Sequence, residues 1–431
     1  MNTRIAVTIQ NFVQYYSLKP FLELKKYNID IYVPNGDKYN LGVKQMHDDI
    51  YNFLKKNNYN VFRKSKRIKY QVLLEPYPMD IYLTFNYKYR IKYKYAAISA
   101  KPKYTYGIEE NILYDAILCY STYEEELLNV FYKTYIVGRL PYQNFKKENT
   151  NNKKKTILYL PTYGDFNSID ELASQLEKLS KKYRIIAKEH HGTNYLFSEN
   201  NKSKKLQNII ANFYDSSYPL SKLLAISDVV ITDNSGSIFE AIYAKTPVCI
   251  YSKDIKECNF NDLESYQYQL VKDGIIPYTN KKEEIETIIN NALSKKIINK
   301  QTKQSKALFP INYSDSLKSF TNIIDLFIKE DSPLLKNRII LHSELRKYIQ
   351  KKDESISLLN NENKVLEEKL QKANARKDEL YKVKENQNNE NNHLKNQITS
   401  LNNELNEYKN GKLYKISTKI YSFKSKLRRK K

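Results

Sequence analysis

The chain has 431 residues, 41% of them hydrophobic and 28% charged, with a formal net charge of +24. That is enough apolar material for two folded domains with polar or extended length besides, and no run approaches the roughly 18 consecutive apolar residues of a membrane-spanning helix. Three cysteines without a CxxC pair argue against a disulfide framework or a zinc ribbon and for a reducing cytosol.

The opening, MNTRIAVTIQNFVQYYSLKPF, lacks an unbroken apolar segment and a small-residue cleavage site, so no secretory signal is expected. Up to residue 142 short apolar runs alternate with helical patterns. Residues 4–9, 29–33, 72–74, 81–85, 96–100, 116–119 and 135–137 read as strands, and residues 19–26 and 122–131 as helices. Such alternation predicts a parallel sheet covered by helices. The run YKYRIKYKY at residues 87–95 suits a strand with a basic and an aromatic face. No RNA-binding motif accompanies it, and no nucleic-acid partner is expected.

A polar stretch, QNFKKENTNNKKK, marks the boundary to a second α/β domain over residues 155–330. Strands are expected at 156–160, 184–187, 209–213, 229–232 and 248–251. Helices are expected at 169–179, from near Pro219, at 237–244, at 283–293 and at 317–328. Three strand ends carry chemistry-bearing residues, and ligands of open α/β sheets bind at that edge. In SDVVITDNSGSIFEAIYAKTP, Asp233 ends a strand and a tight turn leads into a helix. Amides at the helix start lack intrahelical acceptors and suit an anion. Gly236 permits close backbone approach, Ser235 and Ser237 add hydroxyls, and Glu240 is placed to accept from a ribose hydroxyl. The same residues also suit a helix capped only for its own sake.

In KEHHGT, Lys188 and His190 are candidates to bind phosphate oxygens or protonate a leaving group, with His191 beside them. No third ligand lies near for a metal. A surface loop with incidental histidines is the alternative. In LPTYGD, Thr162 and Gly164 suit either a cleft floor or a plain turn.

From residue 341 the pattern becomes heptads. Ile349, Ile356, Asn363, Leu370, Lys377, Lys384, Asn391, Ile398 and Leu405 form one seam. Lys352, Leu359, Leu366, Ala373, Leu380, Gln387, Leu394, Leu401 and Tyr408 form the other. A long coiled coil over residues 341–410, with homo-oligomerisation, is expected; the alternative is a single solvated helix. Residues 411–431 hold seven Lys, two Arg and no acid. Leu413, Ile416, Ile420, Phe423 and Leu427 share one helical face, so this tail reads as an anionic-membrane contact, or else as a disordered basic extension.

The segment from ILYLPTYGD through KEHHG to ISDVVITDNSGSIFEAIYAKTPVCIY resembles the CDP-glycerol glycerophosphotransferase family, the teichoic-acid polymerases and primases. The resemblance implies two Rossmann-like domains of GT-B type, with a nucleotide-activated donor held mostly by the second. It implies a lipid-linked or polymeric acceptor, no metal or cofactor, and a cytoplasmic enzyme peripheral at the inner face of the cell membrane. The reaction implied is transfer of glycerol phosphate, or a related polyol phosphate or sugar, with CDP-glycerol as the donor the resemblance points to. His190 and Lys188 would then be catalytic, and Thr162, Gly164, His191, Asp233, Ser235, Gly236, Ser237 and Glu240 donor-binding. The family usually has Ser-Ser where this chain has Ser235-Gly236. It also has an N-terminal histidine motif where this chain reads AAISAKPKYTYGIEEN, with Lys101, Lys103, Tyr104 and Tyr106 in place of a histidine. Two other readings stand beside it: a non-catalytic membrane scaffold, and a UDP-sugar-using glycosyltransferase or epimerase-like enzyme.

Overall fold

A computed structural model describes residues 3–35, 41–64, 68–77, 86–98, 111, 114–148, 153–193, 195, 200–255, 264–329 and 333–428. The expected strand at 81–85 and Lys101, Lys103, Tyr104, Tyr106 and Cys258 lie outside these. The chain divides into two units, Met1–Ser343 and Glu344–Lys431.

The first unit holds two sheets. In chain order the elements of the first are β1 (Arg4–Thr8), α1 (Phe12–Leu22), β2 (Asn28–Tyr32), α2 (Leu41–Lys56), β3 (Val61–Phe62), β4 (Lys69–Glu75), β5 (Asn86–Lys92), β6 (Ala116–Cys119), α3 (Thr122–Leu128) and β7 (Thr134–Ile136). They form a seven-stranded sheet in the order β3-β2-β1-β4-β5-β6-β7. Then follow β8 (Thr156–Leu160), α4 (Ile169–Ser180), β9 (Arg184–Lys188), α5 (Asn200–Ile209), β10 (Asn212–Tyr214), α6 (Leu220–Ile226), β11 (Val229–Thr232), α7 (Ser237–Tyr243), β12 (Val248–Tyr251), α8 (Tyr266–Lys272), β13 (Tyr278–Thr279), α9 (Ile285–Ala292) and α10 (Lys295–Leu308). This second sheet runs β10-β9-β8-β11-β12-β13. The pairings within both sheets are parallel.

The sequence explains the second sheet directly. TILYL, VVIT and VCIY are continuous apolar runs and every residue in them is buried, as strands covered by helices on both faces require. β8 lies between β9 and β11, so strand order reverses there and a crevice opens beyond the strand ends.

The first sheet departs from expectation in three places. The helix expected at 19–26 begins at Phe12, because the Asn11 side chain accepts the Gln14 amide and Tyr15, Leu18 and Phe21 turn one face into the core. The strand expected at 96–100 is not a strand over its described residues 96–98, because the Ala97 amide donates to the Glu240 carboxylate at 2.8 Å instead of to a ladder neighbour. The Tyr-Lys run contributes β5, whose Tyr89, Arg90, Ile91 and Lys92 are buried, so it offers no continuous basic-aromatic surface. In the second sheet, the strand expected at 209–213 starts only at Asn212, since α5 runs through Ile209.

A last helix, α11 (Ser316–Lys329), returns to the first sheet. Its Phe320, Ile324 and Phe327 pack into the core with Ile5, Val7, Leu74 and Tyr89, and Tyr27 donates to Asp325 at 2.7 Å. Each large apolar side chain buried this way contributes about 1.5–3 kcal/mol.

Two helices complete the chain: α12 (Pro333–Asn410), of 78 residues, and α13 (Lys412–Arg428), separated by Gly411. No described helix is long and apolar enough to cross a membrane.

Candidate active site

Three loops leave neighbouring strands of the second sheet at their carboxyl ends. The first follows β8. The Asp233 carboxylate reaches across from the end of β11 and accepts the Thr162 amide at 2.8 Å and the Ser168 hydroxyl at 3.0 Å and amide at 3.2 Å. Burial pushes this carboxyl up to about 7 against the pull of those donors. Asp233 is fully buried and braces the loop from beneath, so it does not itself line the cleft. Gly164 also falls outside the cleft: with φ of +73° it begins a short turn, Gly164–Phe166, in a backbone region L side chains rarely adopt.

The second loop follows β9. The Lys188 ammonium is buried and donates to the Ser216 carbonyl at 3.2 Å. Desolvation pushes its pKa down to about 8, with Glu189 and Asp215 opposing. Glu189 is itself buried, accepting the Ser203 hydroxyl at 2.7 Å and the Ser216 amide at 3.3 Å. His190 Nδ1 accepts the Gly192 amide at 3.0 Å, so the neutral ring carries its proton on Nε2 and presents a donor. Its ring lies 4.6 Å from Tyr163 and 4.0 Å from His191. Burial, then the neighbouring Lys188 charge, push His191 down to about 4. That disfavours the imidazolium form of His191 at pH 7.

The third loop follows β11. Thr232 donates to the Leu160 carbonyl at 2.7 Å and shares a 2.8 Å hydrogen bond with Ser237. Asn234 donates to Ser252 at 3.3 Å and to the Asp254 carbonyl at 3.2 Å. The turn is thus held on both sides, and Ser235, Gly236 and Ser237 line the cleft. Glu240, one turn into α7, is engaged elsewhere. Its carboxylate accepts Arg139 Nη2 at 2.6 Å, the Ala97 amide at 2.8 Å and the Tyr142 hydroxyl at 2.7 Å. Those bonds occupy the carboxylate that the sequence offers for a ribose contact.

The cleft has a volume of about 1390 Å³. Thr162, Lys188, His190, His191, Ser235, Gly236, Ser237 and Glu240 line it, and Asp233 and Gly164 do not. The first lobe adds Tyr16, Tyr77, Tyr95 and Arg139, and the loop after β10 adds Ser216, Ser217 and Tyr218. None of these was singled out from the sequence. Tyr95 belongs to a Tyr-Lys run whose bias hid it, and Arg139 carries no local signal at all. A buried cation, an imidazole N–H and paired hydroxyls converging at strand ends suit a phosphoryl group, and such preorganised donors stabilise negative charge developing on a leaving group. Among the described residues no cluster of three or more His, Cys, Asp or Glu could hold a metal ion.

Residues 143–314, which carry all three loops, match the profile of the CDP-Glycerol:Poly(glycerophosphate) glycerophosphotransferase family. The chain is 28% identical over 192 residues to the teichoic acid poly(glycerol phosphate) polymerase of Bacillus spizizenii, covering 38% of this chain and 47% of that protein. It is 27% identical over 164 residues to the teichoic acid glycerol-phosphate primase of Bacillus subtilis, covering 32% and 42%. The match thus spans about half the length of these relatives or less. A solved structure of the wall teichoic acid polymerase TagF is similar at a TM-score of 0.47 and 16% identity, over 78% of this chain and 90% of that one.

Proposed function

We propose that the chain transfers glycerol phosphate from CDP-glycerol to a polymeric or lipid-linked cell-surface acceptor, a reading supported by the match of residues 143–314 to the profile of that glycerophosphotransferase family. The observation that carries this reading is the convergence of Lys188, His190 and the Ser235–Ser237 hydroxyls on one cleft. In this mechanism the donor diphosphate lies against the turn after β11. Lys188 offsets its charge, and the His190 Nε2–H donates to the departing phosphate oxygen. The acceptor hydroxyl attacks the glycerol-bearing phosphorus from the first-lobe side: the new P–O bond forms as the diphosphate P–O bond breaks, cytidine monophosphate leaves, and the hydroxyl proton passes to solvent. Incubation with CDP-glycerol and an acceptor should release cytidine monophosphate, and a donor present at a hundred times its Kd should add about 2.7 kcal/mol of stability. Absence of both the release and the stabilisation would refute the reading.

A second reading, a nucleotide-binding scaffold without turnover, draws on one observation. Among the described residues, those that the first lobe contributes to the cleft include no histidine. Saturable CDP binding with no product would favour it.

The long helix supports an oligomeric enzyme. Seam residues Ile356, Leu359, Leu366, Leu370, Leu380, Ile398 and Leu401 are between 53% and 64% exposed, and pairing α12 with a second copy as a coiled coil would cover them. The basic α13, with Leu413, Ile416, Ile420 and Phe423 exposed, would rest on an anionic membrane at the cytoplasmic face, near a lipid-linked acceptor. Full-length protein should be a dimer by light scattering and co-sediment with anionic vesicles at low salt. A chain ending at Lys336 should be a monomer and stay in the supernatant, and equal behaviour of the two forms would overturn both assignments.

A further inference from the structure

The Glu240 carboxylate, at the cleft, is spent on the other lobe. Its three donors, the Ala97 amide, Arg139 Nη2 and the Tyr142 hydroxyl, all lie in residues 97–142, and its side chain is only 7% exposed. Little of it is left for a ligand.

What it holds is a wall of the site. Arg139 Nη2 also donates to the Tyr95 carbonyl at 3.2 Å, and Ser17 donates to the same oxygen at 3.3 Å. Tyr95 stands edge-on to His191, ring centres 6.3 Å apart, and edge-on to Tyr77 at 5.5 Å. The loop then runs against the phosphate-side turn. A Cβ on Gly236 would lie 3.3 Å from the Ile98 carbonyl and 3.7 Å from the Ala96 methyl. Tyr95, Ala96 and Gly236 line the same cleft. A glycine at 236 therefore lets the loop and the turn meet, and Glu240 ties them.

We propose that Glu240 is a positioning residue. Through Ala97 and Arg139 it seats the first-lobe loop of residues 95–98 against the Gly236 turn and so fixes the acceptor-side wall of the cleft, without itself binding the donor. This rests on the transferase reading for its consequence in turnover, but the seating of the loop does not depend on it.

The test uses the full chain, with Glu240→Ala, Glu240→Gln and Gly236→Ser. Hydrogen exchange at the Ala97 amide should quicken about tenfold or more in Glu240→Ala and in Gly236→Ser. Glu240→Gln keeps an acceptor oxygen and should retain most of the protection, which also covers the case in which the alanine variant does not fold. CDP binding by calorimetry should stay within about twofold of wild type in the folded Glu240 variants, while kcat for transfer falls about tenfold in Glu240→Ala and is partly restored in Glu240→Gln. Unchanged Ala97 exchange in the alanine variant overturns the proposal. So does a CDP Kd raised about tenfold in both Glu240 variants, which would make Glu240 a donor ligand. Failure of wild type to bind CDP refutes the transferase reading alone, and the exchange result still decides the seating of the loop.

Discussion

The two sheets of the first unit share an architecture yet are held by different means. The second sheet is apolar through its strands, and its site is built from short loops at neighbouring strand ends, braced by Asp233 and Thr232. The first sheet puts its tyrosines and charges inside. Tyr70 donates to Asp30 at 2.8 Å, Tyr93 to the Thr8 carbonyl at 2.9 Å, and Arg90 pairs with Glu75 where both side chains are fully buried. A buried tyrosine hydroxyl needs a partner, so a tyrosine-rich composition forces such cross-links. Their partners lie far apart in sequence and leave no motif. A site made of local turns is legible in a sequence; a wall made of distant pairs is not.

The sharpest break of this comparison is Arg90→Met in the first sheet. It strands Glu75 in the core, and removing one member of a buried pair costs about 3–5 kcal/mol, measured by urea unfolding at pH 8. The loss should shrink on acidification. Burial holds Glu75 up to about 7 even with Arg90 present, above its unfolded value. Its protonated form therefore stabilises the fold at low pH, and that contribution is lost as pH rises through the folded pKa. A loss below about 1 kcal/mol at pH 8 would show that the pair braces nothing.

In the second sheet the large effect should fall on rate instead. His190→Ala is expected to lower kcat about 10²–10³-fold, and Ser235→Ala about tenfold or more, as for removal of a transition-state donor. Thermal midpoints should barely move, since neither side chain belongs to the core. Wild-type turnover in both variants would remove them from the site.

A smaller effect separates charge from packing at Lys188. Its folded pKa of about 8 lies below the unfolded value, so this group costs stability while it is charged and the cost is relieved as pH climbs from about 8 toward its unfolded value. Activity should run the other way, falling above about pH 8 as the cation is lost. Lys188→Arg, always charged, should shift that alkaline limb upward if the variant is active; an unshifted limb assigns the titration to another group.

The sequence shows why legibility ended where it did. TILYL, VVIT, KEHHG and DNSGS are contiguous, and their strands and turns follow from apolar runs and turn residues within a few positions. AAISA looks like a strand for the same local reasons. Its Ala97 amide is claimed by Glu240, 143 residues away, and no local pattern carries that. Asp233 and Glu240 both have the right chemistry at the right strand end for ligand contact, and both turn away because a backbone amide or an arginine reaches them first.

The central claim is that the loops after β8, β9 and β11 hold a nucleoside diphosphate group around Lys188. Calorimetric titration of CDP into the full chain and into Lys188→Met tests it most directly. Saturable binding to wild type, weakened about tenfold or more in the variant as loss of a buried charge contact requires, is the result predicted. Absence of binding, or equal affinity in the two proteins, would contradict it.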